Sequence, residues 1–119
     1  MSKLTIGIMP RDQFQQRLID IAAGKIKPRQ DEPSVWFSSI KSLGEVLSEN
    51  NMRLLQLIKR HHPQTLKELA QLSGRQPSNL SRTLKMMEKH GIVELKKEAR
   101  QVRAITKATE FAIYYGLST

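Results

Sequence analysis

Between Gln76 and Lys89 the chain places Gln76, Ser78, Asn79, Ser81, Arg82, Lys85 and Lys89 around an apolar series Leu80, Leu84 and Met87. The apolar residues fall at i, i+4 and i+7, so they share one face of a helix and leave the polar set on the other. Short amides and hydroxyls come first and longer cations later. A helix carrying such groups can bring its first turns to base edges, with hydroxyls and the helix N-terminus against phosphate. Asn79 and Arg82 are the leading candidates for base reading, because Asn pairs bidentately with adenine and Arg with guanine. Gln76 and Lys85 stand second. Ser78, Ser81, Arg75, Lys89 and the upstream Thr65 are assigned to phosphate. The competing account is an ordinary amphipathic helix with a solvated face. Two features weigh against it: the first turns lack the Glu that would suit the helix dipole, and Arg75 to Lys107 holds nine Lys/Arg against three Glu.

The elements that must hold this helix are legible on both sides. Thr65 is an N-cap with Glu68 at the capping-box position, so a short helix with apolar Leu66, Leu69, Ala70 and Leu72 is expected, closed by Gly74. Pro77 and Ser78 open the polar-faced helix, which should run to about His90 and stop at Gly91. Ile92 to Lys97 and Val102 to Lys107 read as two strands joined at Glu98-Ala99-Arg100-Gln101, a turn without the Gly or Asn that usually relaxes a tight hairpin. Lys96, Lys97, Arg100, Arg103 and Lys107 then lie on or near a basic hairpin, where phosphate or minor-groove contact is the expected work; for each alone, a solvated charge is the alternative.

Further upstream, Leu4, Ile6 and Ile8 alternate with Thr5 and Gly7, as a half-buried strand does. Pro10 suits an early helix position, Phe14, Leu18 and Ile21 follow at helical spacing, and Gly24 ends the run. Residues 25–33 are a polar, Pro-flanked linker. Val35-Trp36-Phe37 is a short β-type run, Ser38 or Ser39 caps a helix with Ile40, Leu43, Val46 and Leu47, and Asn50 or Asn51 recaps the chain. Leu54, Leu55, Leu57 and Ile58 belong to a further helix ending near His61-His62-Pro63; these histidines have no neighbouring Cys or carboxylate and read as a helix end, not a metal site. Phe111, Ile113 and Tyr115 alternate as a last strand.

Composition narrows the function classes. Twenty Lys+Arg against eleven Asp+Glu give a formal charge of +9, which favours a polyanionic partner. With 5% aromatic residues, no exposed stacking set marks single-stranded RNA recognition. The chain contains no cysteine, which removes disulfides, thiol nucleophiles and zinc knuckles. No apolar run approaches the roughly 18 residues of a membrane span, and the first residues lack a signal-peptide pattern. A cytoplasmic protein is expected. Three histidines and scattered carboxylates form no triad, metal signature or phosphate loop, so neither an enzyme nor a cofactor is expected.

The segment LKELAQLSGRQPSNLSRTLKMMEKHGIVEL resembles the DNA-binding part of MarR- and ArsR-type winged-helix regulators, with Leu84, Met87, Glu88, Gly91, Ile92 and Val93 on the pattern. Upstream, Trp36-Phe37-Ser38-Ser39-Ile40 is similar to a motif of small prokaryotic predicted winged-helix regulators, a group similar to the antitoxins of TumE/TumA-type modules. The resemblance implies an α+β, mainly helical winged helix-turn-helix domain over residues 34–119, preceded by a strand–helix extension and linker over 1–33. Two functional readings follow. From the polar-faced helix and the basic hairpin, with two-fold symmetry presenting two such helices, a homodimeric repressor on a pseudo-palindromic operator of double-stranded DNA is expected. The resemblance implies the other, an antitoxin that binds a toxin protein and autoregulates its operon. For the dimer or partner interface the apolar candidates are Leu4, Ile6, Ile8, Phe14, Leu18, Ile21, Trp36 and Phe37, with Phe111 to Tyr115 as further spare apolar material.

Overall fold

The computed structural model describes residues 2–116. In chain order the elements are β1 (Lys3–Ile8), α1 (Arg11–Ala22), β2 (Val35–Phe37), α2 (Ile40–Val46), α3 (Glu49–His61), α4 (Leu66–Ser73), α5 (Pro77–Lys89), β3 (Val93–Glu98), β4 (Gln101–Thr106) and β5 (Glu110–Tyr114). They form two separate sheets. One is three-stranded and parallel, in the order β2-β1-β5; the other is the antiparallel β3-β4 hairpin.

The helix boundaries follow from local chemistry. Ser39, Ser48 and Thr65 cap α2, α3 and α4, each side chain accepting the N–H three residues on. The cap of α3 is therefore Ser48, not Asn50 or Asn51. Asn51 is instead buried and holds the α2–α3 corner, donating Nδ2 to the Val46 carbonyl at 2.9 Å. Pro10 is the N-cap of α1 and not its first helical residue. His62 ends α3 in the left-handed region, and Gly74 does the same for α4. Among the described residues, no cluster of three or more His, Asp or Glu side chains is placed to hold a metal ion, and no helix is long and apolar enough to cross a membrane.

A mainly helical winged helix-turn-helix domain with an appended strand and helix is not what forms. The protein is a small α+β domain in which 46% of residues are helical and 23% lie in strands, so helices are less than half. Strand β1 is no appendage: it is the middle strand of the parallel sheet, with Ile6 paired to Val35 on one side and Ile113 on the other. The physical reason lies in the alternation of β1. Leu4, Ile6 and Ile8 form one face, and Ile6 and Ile8 are buried in the same core cluster as Leu43, Leu54, Leu69, Leu84 and Ile92. An isolated strand could satisfy neither its backbone groups nor that apolar face. The sheet thus unites strands from both sides of the 25–33 linker.

The opposite face of the sheet carries Gly7 and Trp36, paired in register. A Cβ on Gly7 would lie 2.4 Å from the Trp36 ring, so glycine is what lets the indole lie across β1. Phe14 meets the same ring at 6.1 Å between centroids, and the Arg17 guanidinium sits 5.2 Å from its centroid. Arg17 also pairs with Glu32 in the linker. Helix α1 is otherwise lightly held; none of its residues is buried.

Candidate nucleic-acid interface

Leu80, Leu84 and Met87 are fully buried, which fixes the rotation of α5 about its axis. At 100° per residue the point opposite that apolar face is occupied by Ser78, Arg82, Lys85 and Lys89. All four are exposed. Asn79 and Gln76 are exposed too, but they lie on one flank. There they line a polar recess of ≈ 700 Å³ with Ser48, Asn50, Arg75 and Thr83. The candidate base readers are therefore not equivalent: Arg82 and Lys85 point outward, whereas Asn79 and Gln76 face the start of α3. Ser81 is half-buried.

Helix α5 is braced at both ends by side chains that the sequence did not single out for this purpose. At its N-terminus, Arg75 Nη2 donates to the Asn50 carbonyl at 2.8 Å and to Asn51 Oδ1 at 3.0 Å. Arg75, assigned from sequence to phosphate, is thus a latch between the α4–α5 turn and α3. At the far end Glu88 Oε2 accepts the N–H of Leu95 at 3.1 Å, tying α5 to the start of the hairpin. Only the i+7 spacing of Glu88 and Leu95 could have signalled this contact. Thr65 likewise uses its hydroxyl to accept the Glu68 N–H at 3.0 Å. Glu68 reaches back to the N–H of Gln64, one residue before the cap, at 3.0 Å.

The hairpin register pairs Val93 with Thr106, Leu95 with Ala104 and Glu98 with Gln101. Its two-residue turn is Ala99-Arg100, and Ala99 carries the positive φ of 55° that glycine or asparagine would adopt more easily. Lys96 and Arg103 are opposite one another, with Glu98 Oε1 at 3.9 and 3.8 Å from them. Arg103 further donates to Gln64 Oε1 at 3.1 Å, joining β4 to the start of α4. Arg103 is thereby committed to internal partners. Lys97, Arg100 and Lys107 are exposed and form no ion pair among the described residues, and the same holds for Arg82, Lys85 and Lys89.

The interface candidates divide in the same way. Ile6, Ile8 and Phe37 are buried in the core and Leu4 is partly buried against it, so these four serve mainly the chain's own interior. Phe14 and Trp36 cover one another, and Ile21 is half-buried. Of the eight, only Leu18 is largely exposed, at 49%. His90, at the end of α5, stacks on Phe37 with centroids 4.5 Å apart. Burial, followed by the charge of Lys89, holds its pKa below the ordinary histidine value. In the linker, the Arg17 side chain holds the Glu32 carboxyl below the usual range.

A family model matches residues 46–113, from the end of α2 into β5, which is more than half of the chain. The chain belongs to the HVO_A0114 family. No curated protein and no solved structure matches it. The HVO_A0114 match contains the whole of α3–α5 and the hairpin, together with Arg82, Lys85 and the Arg75 and Glu88 braces, and leaves β1, α1 and β2 outside.

Proposed function

We propose that this chain binds double-stranded DNA and regulates transcription, with α5 as the element that enters the major groove. The observation that carries the reading is the division of α5: one face sealed by Leu80, Leu84 and Met87, the other presenting Ser78, Arg82, Lys85 and Lys89 without an acidic neighbour within ion-pair distance. A helix this firmly seated offers its cations as a fixed array, and a major groove is wide enough to admit it. Lys97, Arg100 and Lys107 extend the positive surface from the hairpin. Occlusion of a promoter would then act as repression. The test is fluorescence anisotropy with duplex DNA from the region upstream of the gene, against RNA of the same sequence. Duplex DNA should bind more tightly, and Arg82→Ala should relax preference at one guanine by about 1–3 kcal/mol. Equal affinity for RNA, or no effect of Arg82→Ala, would remove the reading.

A second reading, that the chain masks a toxin protein, draws on α1. Leu18 and Ile19 are 49% and 60% exposed on a helix with no buried residue. Deleting residues 1–33 would remove the central strand β1 and is a poor test. Leu18→Asp with Ile19→Asp leaves the sheet intact; retention of a co-purifying neighbouring gene product by that variant would argue against α1 as its contact.

A further inference from the structure

Strand β5 has β1 on one side and, among the described residues, no strand on the other. Half of its backbone N–H and C=O groups therefore point outward along an open edge, the arrangement that templates pairing with another strand. Edges are normally blunted by lysine, proline, a bulge or extreme shortness. Such devices are present elsewhere in the molecule: β2 has three residues and follows Pro33, and the hairpin carries Glu94, Lys96, Lys97 and Arg103. In β5 the one charge is Glu110, at the first position, and Phe111 to Tyr114 contain no charge, proline or glycine. Ile113, Tyr114 and Tyr115 are 47%, 55% and 63% exposed.

We propose that this edge pairs with β5 of a second copy of the chain, antiparallel, joining two three-stranded sheets into one of six strands. Charge selects the occupant. Each copy carries +9, so two copies can meet closely only where neither presents cations. The β5 edge is such a place, whereas an acidic partner would be drawn to the basic surface instead. The strand is also complementary to itself in reverse. With the two-fold axis at Ala112, the smallest side chain meets its own copy, Phe111 faces Ile113 of the second copy, and Glu110 faces an uncharged Tyr114. No like charges are opposed.

This pairing has a geometric consequence. A two-fold axis relating antiparallel edges is normal to the sheet, so each face continues unbroken into the second copy. Ile6 and Ile8 pack with α2–α5 residues on one face, and Phe14 and Arg17 of α1 meet Trp36 on the other. Both α5 helices would thus lie on the same side of the six-stranded sheet, as two half-sites on one duplex require. The interface itself does not rest on the DNA-binding reading; only this consequence does.

The test is made on the full-length chain without DNA. Sedimentation equilibrium over 10–200 μM should give twice the chain mass. Because the chain has no cysteine, Ala112→Cys supplies a single thiol, and facing residues of an antiparallel pair are close enough to form a disulfide. Mild oxidation should yield a covalent dimer for Ala112→Cys and not for Gln56→Cys, which is exposed on α3. Ile113→Lys should raise the dimer dissociation constant at least about tenfold with an unchanged far-ultraviolet dichroism spectrum, since two symmetric Phe111–Ile113 pairs are lost. If that variant fails to fold, the two thiol variants still decide. A monomer throughout the concentration range overturns the proposal. So does a dimer in which the Ala112→Cys thiol stays reduced, or one in which Gln56→Cys crosslinks equally. A dimer that ignores duplex DNA would support the pairing and sink the DNA reading alone.

Discussion

Removing cations from α5 and the hairpin tests the proposed DNA-binding surface quantitatively, because the structure separates free charges from engaged ones. Arg82, Lys85, Lys89, Lys97, Arg100 and Lys107 are exposed without ion-pair partners among the described residues, whereas Arg75 and Arg103 are held by hydrogen bonds. Each phosphate neutralised releases counterion and contributes about −0.9 to the slope of log K against log salt. If all six engage one duplex, the slope per chain is about −5, and affinity falls roughly a thousandfold between 50 and 200 mM salt. The combined change Lys85→Ala, Lys89→Ala and Arg100→Ala should then flatten the slope by about 2.7. Arg103→Ala should change the slope by much less than about 0.9, because that guanidinium is already committed to Gln64 and Glu98. Anisotropy titrations at four salt concentrations give both numbers. A slope unchanged by the triple substitution, or a full-unit change from Arg103→Ala alone, would refute the division into free and engaged cations.

Three further outcomes concern the scaffold. Gly7→Ala should destabilise the fold by about 1–3 kcal/mol, since its methyl would meet the Trp36 ring and Pro33 Cγ at 2.9 Å or less; urea unfolding followed by Trp36 fluorescence reads this, as the chain has one tryptophan. Ala99→Gly should stabilise by about 0.5–1 kcal/mol in thermal melts, because it relieves a left-handed Cβ at the hairpin turn at some cost in unfolded-state entropy. His90, whose folded pKa is depressed, should contribute stability that is full above the unfolded histidine value of 6.5 and declines as pH falls from there toward the folded pKa, where the unfolded chain binds the extra proton. His90→Phe should keep the contact with Phe37 and abolish that portion of the pH dependence.

Local chemistry was readable wherever a residue acts on its own neighbours. Thr65 with Glu68, Gly74, Pro77 and Gly91 each signal a helix boundary through contacts within a few residues, and those boundaries are where the structure has them. The same holds for Leu80, Leu84 and Met87, whose spacing alone assigns the buried face of α5. Roles that depend on distant partners were not readable. Arg75 looks like any basic residue before a polar helix until Asn50 and Asn51, 25 and 24 positions earlier, are folded against it. Arg103 looks like one more hairpin cation until Gln64 is brought to it.

The sequence by itself determined the elements, the polar face of α5 and the excess of positive charge, because period, capping and composition act locally or additively. Only the tertiary structure decided how the two ends of the chain are used. The alternation of Leu4, Ile6 and Ile8 requires a strand with one buried face, yet it names no neighbour. Parallel pairing with Val35 and with Ile113 depends on which open edges the helices bring within reach, and no local pattern encodes that. What the spacing left as an N-terminal extension is, in the folded protein, the strand on which the sheet is built.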